Sequence, residues 1–251
     1  MGEKELAYRT LSGILMPPMS NIYGQNINIS RFLNNIISFY FPNAKKIYDP
    51  TCGEENFQFK DYLVKRNGKW YYRLENGDLA EYVASDIKKT RWNCSNSECL
   101  IVDVLRPPYP FRDNEFDIVV YDPPFLPSKR NDNRGKAYGI DEERTLYSIK
   151  QYYSKKVFRE FHRITKYGML VKGEDFYYST TSDNLYIFLY DILDIDIIRK
   201  YFKIVAVHIY RFFNRSIPIN RARLGLSQQS KGYRRPIICH SYYIILYKIA
   251  I

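Results

Sequence analysis

The tetrapeptide Asp122-Pro123-Pro124-Phe125 joins a carboxylate, two prolines and an aromatic ring directly after the apolar run 116–121. Residues typical of turns lie on both sides of that run, so it is predicted to be a buried strand. Proline fixes φ and has no backbone N–H, which leaves the carbonyls of this segment as hydrogen-bond acceptors. The Asp122 carboxylate and a proline carbonyl could accept the two hydrogens of an exocyclic amine while the Phe125 ring stacks on a flat base. The motif therefore indicates methyl transfer to the amino group of a nucleobase.

Three further acids end predicted strands upstream of this motif. The strand 45–48 runs into Asp49, which precedes a turn containing Gly53 and a predicted helix start. Short apolar runs at 82–85 and 100–102 end in Asp86 and Asp103. Nucleotide-type ligands bind at the carboxyl edge of parallel sheets, so these carboxylates are candidates for such a site.

This order of motifs resembles the class I, Rossmann-like methyltransferases that use S-adenosylmethionine and methylate amino groups. In that family the first strand ends in a D-P-x-x-G-x-G-x-F-like signature, which residues 49–57 match, except that Glu55 replaces the second glycine. In that family the acid after the second strand binds the ribose of the cofactor, and the acid after the third strand lies beside its adenine. The resemblance implies a cofactor site made of Asp49, Pro50, Thr51, Cys52, Gly53, Phe57, Asp86, Ile87, Asp103 and Val104. It implies that Asp122, Pro123, Pro124 and Phe125 are catalytic, because they match the family's [DNS]-P-P-[YFW] motif.

The resemblance extends over residues 44–251 to the small DNA methylases described from phages, viruses and mobile elements. It includes Tyr138-Gly139, the segment 169–175 and His240-Ser241-Tyr242. It implies an α/β fold: a Rossmann-like three-layer sandwich whose seven-stranded sheet is mostly parallel, with an antiparallel last strand.

The net charge of +11 and the pI near 9.3 indicate a polyanionic partner. No Asp or Glu occurs from Ile197 to Ile251, a segment that is rich in Arg and Lys. A second basic region follows the tetrapeptide, and a solvated surface that only maintains solubility is the alternative interpretation. The candidate substrate-binding residues are Lys129, Arg130, Arg134, Tyr138, Lys172, Arg221, Arg223, Arg234 and Arg235.

The predicted organisation is one methyltransferase domain over residues 1–251, with 45% hydrophobic residues to form its core. The expected elements are an arm and helix within 1–43 (helix 27–41), a crossover helix 57–66, a hairpin insertion 67–83, a long helix 142–165, a fifth strand 168–172, a helical segment 183–200, and final strands 202–211 and 237–249. The irregular stretches 126–141 and 213–236 are predicted substrate loops. Only residues 104–121 separate the third and fourth acids, so no separate target-recognition domain is expected.

The composition also argues against a membrane protein, a secreted protein and a zinc-binding protein. No apolar stretch reaches the roughly 18–20 residues of a membrane span, and no leader pattern occurs at the N-terminus, so an intracellular, cytoplasmic protein is expected. Cys94 and Cys99 lack further nearby ligands for a zinc site. No metal is predicted there, and reduced thiols are favoured over a disulfide.

The sequence thus predicts an S-adenosylmethionine-dependent methyltransferase that acts on the exocyclic amine of adenine or cytosine, with DNA favoured as the partner. Three alternatives remain open. These are an RNA amino-methyltransferase, a protein lysine methyltransferase, and a catalytically silent nucleic-acid-binding module, for which Glu55 is the only support. A basic protein target would be repelled by the positive charge.

Overall fold

The fold was analysed in a computed structural model. It describes residues 8–9, 15–16, 22–23, 29–53, 59–90, 92–95, 98–123, 146–174, 176–179, 184–187, 194–211 and 240–251. Its strands, in chain order, are β1 (Tyr8–Arg9), β2 (Leu15–Met16), β3 (Ile22–Tyr23), β4 (Lys46–Asp49), β5 (Leu63–Arg66), β6 (Lys69–Arg73), β7 (Leu79–Ala84), β8 (Cys94–Ser95), β9 (Glu98–Cys99), β10 (Phe116–Tyr121), β11 (Thr165–Glu174), β12 (Phe176–Ser179), β13 (Asn184–Ile187), β14 (Phe202–Arg211) and β15 (His240–Lys248). The helices are α1 (Ile29–Tyr40), α2 (Leu146–Tyr152), α3 (Lys155–Ile164) and α4 (Ile195–Tyr201).

Within these described ranges, nine strands form one sheet in the order β3-β14-β15-β11-β10-β4-β7-β6-β5. The predicted count of seven is therefore wrong. The central strands β7, β4, β10 and β11 pair in parallel. Among the described strands of this sheet, the remaining parallel pair joins β14 to the two-residue strand β3, so "mostly parallel" holds for the core of the sheet alone. The expected antiparallel last strand is confirmed, since β15 lies between β11 and β14 and is antiparallel to both.

Alternating side chains of the sheet form two hydrophobic cores, which gives the expected three layers. On one face, α1 packs its apolar residues against a set that includes Ile118, Val120 and Leu170. On the other face, α2, α3 and α4 pack against a set that includes Val119 and Tyr121. Because successive strand residues point to opposite faces, a strand that is apolar on both faces, as β10 is from Ile118 to Tyr121, is what a sheet covered on both sides requires.

A three-stranded meander, β5-β6-β7, forms one end of the sheet. The Asn76-Gly77 turn joins β6 to β7, as the sequence indicates, with Gly77 at φ +85°. Residues 57–66 were expected to be a crossover helix, and this is wrong. Lys60–Tyr62 is a single 3₁₀ turn, and β5 then pairs with β6. Asn67 (φ +48°) and Gly68 (φ +79°) supply the two left-handed residues of a tight hairpin turn, which overrides the helical pattern.

The meander also changes the third acid's setting. Leu100–Asp103 was expected to be a strand, but the described chain has only an isolated parallel bridge there, between Asp86 and Ile101. Instead, the antiparallel strand β6 pairs with β7 and occupies the edge of β7 where a third parallel strand was expected. The two-stranded ladder β8-β9 lies between Asp86 and Ile101 in the chain.

Two predicted helices also differ. The long helix 142–165 is divided into α2 and α3 in its described part, because Ser154 adopts an extended conformation (ψ 160°) at the start of α3. In the described part of the segment 183–200, Asn184–Ile187 is a strand, β13, paired with β12, and helix α4 begins at Ile195. The Asp194 carboxylate caps α4 by accepting hydrogen bonds from the backbone N–H groups of residues 196 and 197. No helix in the described ranges is long and apolar enough to cross a membrane.

Candidate functional site

The candidate site lies where the strand order reverses. From β4 the chain adds β7 on one side, and later adds β10 and β11 on the other. The carboxyl ends of β4 and β10 are therefore neighbours, and the strands that follow each of them in the chain lie on opposite sides of this pair. A crevice outside the carboxyl ends of strands at such a switch point is where open α/β sheets bind ligands. Asp49 ends β4, and Asp122 directly follows β10.

The Asp49 carboxyl is the buried centre of this site, with 5% of the residue exposed. The Tyr82 hydroxyl donates a hydrogen bond of 2.6 Å to its Oδ2 atom, and the Thr51 backbone N–H donates one of 3.0 Å to Oδ1. Burial, with a smaller contribution from the nearby charges of Asp122 and Asp86, raises the pKa of Asp49 to about 7, although the two hydrogen bonds act in the opposite direction. This is a carboxyl that changes charge near neutral pH.

The loop 50–53 is tied to the strand ends on both sides. The Cys52 N–H donates to the Ser85 carbonyl (3.3 Å), and the Thr51 hydroxyl accepts a 3.1 Å hydrogen bond from the Asp122 N–H. Cys52 is buried, with its Sγ 3.4 Å from the Thr90 hydroxyl oxygen, and burial raises the pKa of its thiol. Thr51 thus bridges the two segments that flank the switch point.

Gly53 and Asp86 form the other wall of the site. The Gly53 N–H donates a 3.0 Å hydrogen bond to Asp86 Oδ2. Gly53 has φ +61°, and no atom of the described residues lies within 4 Å of the place where a Cβ would stand. Burial raises the pKa of Asp86, while hydrogen bonds from backbone N–H groups act in the opposite direction. A left-handed glycine beside a partly buried carboxylate leaves room for a ligand to approach the main chain.

Asp122 is paired with Lys172. The Lys172 Nζ atom lies 3.0 Å from Asp122 Oδ2, and the two side chains are only 13% and 24% exposed. The pair follows from strand register: Tyr121 and Val171 are partners in the parallel ladder, so the next residues leave the sheet side by side. Pro123 is buried directly after Asp122. The sequence nominated both Asp122 and Lys172, but not their contact.

The other predicted cofactor residues differ in burial and in their contacts. Pro50 is buried within the loop, and Ile87 is 47% exposed beside Asp86. Asp103 accepts a hydrogen bond from the Leu105 N–H and forms an exposed ion pair with Arg106, so it closes its own turn. The Val104 side chain is buried in the core next to the helices α2–α4.

Several nominated residues lie outside the described residues. These are Phe57, Pro124, Phe125, Lys129, Arg130, Arg134, Tyr138, Arg221, Arg223, Arg234 and Arg235, together with Glu55. Their roles stay predictions. Cys99, in β9, is disulfide-bonded, so the expectation of a reduced thiol at this position is wrong. Cys94 lies opposite Cys99 in the two-stranded ladder.

Two site residues were not anticipated. Tyr82 donates to Asp49, and Ser85 contacts the Tyr48 hydroxyl (2.7 Å) while its carbonyl holds the Cys52 N–H. The sequence does carry a signal for Tyr82, because alternate residues of β7 are buried and Tyr82 falls on that face. Its hydroxyl then requires a hydrogen-bond partner in the interior, and the acid at the end of the next strand supplies one.

No family model and no curated protein matches the chain. Among solved structures, a methyltransferase dependent on S-adenosylmethionine from Methanosarcina mazei matches with a TM-score of 0.44, 13% identity, and coverage of 85% of this chain and 97% of that one. A protein from Pyrococcus horikoshii OT3 matches with a TM-score of 0.43, 14% identity, and coverage of 86% and 88%. The [4+2]-cyclase SpnF matches with a TM-score of 0.45, 12% identity, and coverage of 93% and 87%.

Proposed function

We propose that this protein is an S-adenosylmethionine-dependent methyltransferase that acts on the exocyclic amine of a nucleobase, adenine or cytosine, with DNA as the favoured substrate. The observation that carries the proposal is the meeting of Asp49, Asp86 and Asp122 around the switch point of a Rossmann-like sheet, with the Thr51 hydroxyl joining the two flanking loops. The acids come from three adjacent parallel strands, so the fold itself brings them together.

The residues at the first two strand ends suit the cofactor. S-adenosylmethionine, when bound, supplies a methyl group already activated by a sulfonium centre. The open backbone of Gly53 and the Asp86 carboxylate would hold its nucleoside part, with Ile87 beside them as an exposed apolar contact. The carboxyl groups of Asp86 and Asp122 beside one lysine, together with Asp49 when it is ionised, favour a cationic group at this edge of the sheet. Both the accessible backbone at Gly53 and the negative charge of the site therefore support binding of this cofactor.

The residues after β10 suit the accepting amine. The Asp122 carboxylate would accept one amine hydrogen, and the carbonyl of a proline in the motif would accept the other. Together they would hold the nitrogen in place and direct its lone pair, which is the positioning that methyl transfer requires from an enzyme. Because the Asp122 N–H is hydrogen-bonded to Thr51, the acceptor is fixed relative to the loop at the end of the first strand.

The charge of the chain supports a polynucleotide as the substrate. With a net charge of +11, the protein is attracted to phosphate, and a basic protein target is repelled. A target base within a duplex would have to be turned out of the stack, which costs a few kcal/mol and is offset by stacking and hydrogen bonds in the pocket. RNA is the second candidate, since the same amine chemistry and the same charge apply to it.

The proposal is tested with labelled cofactor and separate pools of DNA, RNA and protein, followed by nucleoside analysis of any product. Wild-type protein should label nucleic acid at the amine of adenine or cytosine. Asp122→Ala should lose at least about 100-fold in turnover, the scale of a lost positioning group, while its cofactor affinity stays within a few-fold. Asp113→Ala is the matched control, because Asp113 is an exposed partner of Arg163 on another loop. Normal turnover by Asp122→Ala, or labelling of protein alone, would contradict the proposal.

A further inference from the structure

Lys172 occupies an unusual position for a lysine. Its side chain is only 13% exposed, and its ammonium group is directed at the carboxylate proposed to accept the substrate amine. Lysine is rarely buried without a partner, since removing its charge from water is unfavourable. An ion pair that served stability alone would add little, because desolvation of both charges offsets their attraction. The placement of this pair at the switch point therefore points to a role in binding.

The pair presents a hydrogen-bond donor directly beside an acceptor. The Lys172 ammonium donates and has no acceptor, whereas the Asp122 carboxylate accepts and has no donor when ionised. The Lys172 Nζ and Asp122 Oδ2 atoms are 3.0 Å apart, and each residue follows one member of the ladder pair Tyr121–Val171. A ligand that satisfies both groups must itself carry an acceptor next to a donor.

Nucleobases differ in whether their amine has such a neighbour. On the Watson–Crick edge, the amine of adenine lies beside the unprotonated ring nitrogen N1, and the amine of cytosine lies beside N3. The amine of guanine lies beside N1–H, which is a donor and would face the Lys172 ammonium. A flipped base is read through this edge. A primary amine of a lysine side chain offers no adjacent acceptor at all.

We propose that Lys172 is a specificity-determining residue, whose Nζ donates to the ring nitrogen beside the target amine while Asp122 accepts from that amine. The site then selects adenine or cytosine and rejects guanine. In the free protein the two groups bind each other, and the substrate edge replaces this contact with one hydrogen bond to each. This inference rests on the proposed function, and it adds the atom of the base that is recognised.

The test compares substrates that differ in one atom. Single-stranded DNA oligonucleotides are prepared with adenine, with 1-deazaadenine, or with 7-deazaadenine, and kcat/KM is measured for each. A cytosine series with 3-deazacytosine is run in parallel. Wild-type protein should lose about 10- to 100-fold when the N1 or N3 acceptor is replaced by C–H, the scale of one charged hydrogen bond. The 7-deaza base is the matched control, because its Watson–Crick edge is intact, and it should react nearly as well as adenine.

The same substrates are then compared in variants of Lys172. Lys172→Met keeps the length of the side chain without its charge, and it should react with natural and 1-deaza bases at nearly equal, lowered rates. Lys172→Arg retains a donor and should retain most of the discrimination. A variant that only misplaced Asp122 would slow all bases equally and would leave the ratio between them unchanged. If turnover of Lys172→Met is too slow to measure, the same ratios are taken from oligonucleotide Kd values in the presence of S-adenosylhomocysteine.

The outcomes separate this inference from the proposed function. Methylation of adenine or cytosine by the wild type, together with equal discrimination by wild type and Lys172→Met, overturns the role of Lys172 alone. Methylated guanine among the products overturns it as well. If the wild type binds cofactor but labels no nucleic acid in any pool, the proposed function itself fails.

Discussion

At the scale of single residues, the site depends on carboxyls whose surroundings differ. Asp49 is buried among protein groups, Asp86 faces a glycine backbone, and Asp122 is paired with a lysine. The same residue type therefore has three different environments, and burial raises the pKa of both Asp49 and Asp86.

The titration of Asp49 leads to a prediction about stability. In the folded protein its pKa is about 7, whereas an unfolded chain ionises near the ordinary value of 3.8. Between these values the folded state keeps a proton that the unfolded state has lost, so this residue lowers stability progressively as pH rises from about 4 to 7. Asp49→Asn removes the titration, and its amide can serve both the Thr51 N–H and the Tyr82 hydroxyl.

We expect Asp49→Asn to become more stable than the wild type as pH rises through this window, by up to about 1.4 kcal/mol per pH unit. The two proteins should converge near pH 4. Denaturant unfolding at several pH values measures the difference, with the exposed Asp78→Asn as the control. Parallel stability curves for wild type and Asp49→Asn would show that Asp49 is ionised throughout.

The prediction for Asp86 concerns cofactor affinity. Asp86→Ala should weaken binding of S-adenosylmethionine by about 1.5–3 kcal/mol, the range for a hydrogen bond to a charged group. It also frees the Gly53 N–H, so Asp86→Asn, which keeps an acceptor for that group, should lose less. Calorimetry measures both, with Asp103→Ala as a comparison, because Asp103 is engaged in its own turn. Equal affinity in a folded Asp86→Ala protein would remove Asp86 from the cofactor site.

At the scale of elements, β15 joins the parallel core to β14 across a very close contact. Gly168 in β11 lies opposite Tyr247 of β15, and a Cβ at Gly168 would stand 2.0 Å from the Leu246 carbonyl oxygen. Because this neighbour is backbone, it cannot move without displacing β15. The antiparallel strand thus requires a glycine at this position of β11.

We predict that Gly168→Ala destabilises the fold by about 3 kcal/mol or more, since the clash is with main chain rather than with a flexible side chain. Gly77→Ala is the matched control. Gly77 has φ +85° but nothing within 4 Å of the added methyl group, so only backbone strain of about 1–2 kcal/mol is expected. Thermal and urea unfolding compare the two variants. A smaller effect at Gly168 than at Gly77 would mean that β11 and β15 are not packed this closely.

At the scale of the whole molecule, the dominant property is charge. The excess of 11 positive charges is concentrated in the sequence after Asp196 and around residues 129–163. The described part of the site, in contrast, is acidic apart from Lys172. The proposed function would therefore use the basic segments for phosphate and the acidic site for the amine, which suits a substrate that is held by its backbone and read at one base.

Nucleic-acid binding should accordingly depend steeply on salt. The log–log slope should have a magnitude of about 0.7–0.9 per phosphate neutralised. Replacement of Arg221, Arg223, Arg234 and Arg235 by Ala should flatten the slope and weaken binding to all sequences alike, while calorimetry shows unchanged cofactor affinity. If the four-Ala protein keeps the wild-type slope on both DNA and RNA, this region serves solubility and not binding.

The sequence by itself determined the local features of this protein. Apolar runs followed by Asp at 49, 86 and 122 identify the strand ends, and the Asn-Gly pair at 76–77 identifies a hairpin turn, because strand period and turn chemistry are properties of adjacent residues. The helix α1 and the last strands were located for the same reason. The wrong assignment of 57–66 arose where a second Asn-Gly pair, 67–68, outweighed an apparent helical pattern.

Only the tertiary structure decided which of these residues meet. Tyr82 is 33 residues from Asp49, and Lys172 is 50 residues from Asp122, so neither contact has a signal at short range in the chain. Both depend on which strands become neighbours and in what register, and those are set by burial over the whole sheet. The same cause placed β6 beside β7, where the sequence predicted a third parallel strand, and thereby reduced Asp103 from an expected edge residue to a turn. The sequence therefore identifies the acids. Their partners, the raised pKa of Asp49 and the position of the Lys172 ammonium beside Asp122 are determined only in the folded sheet.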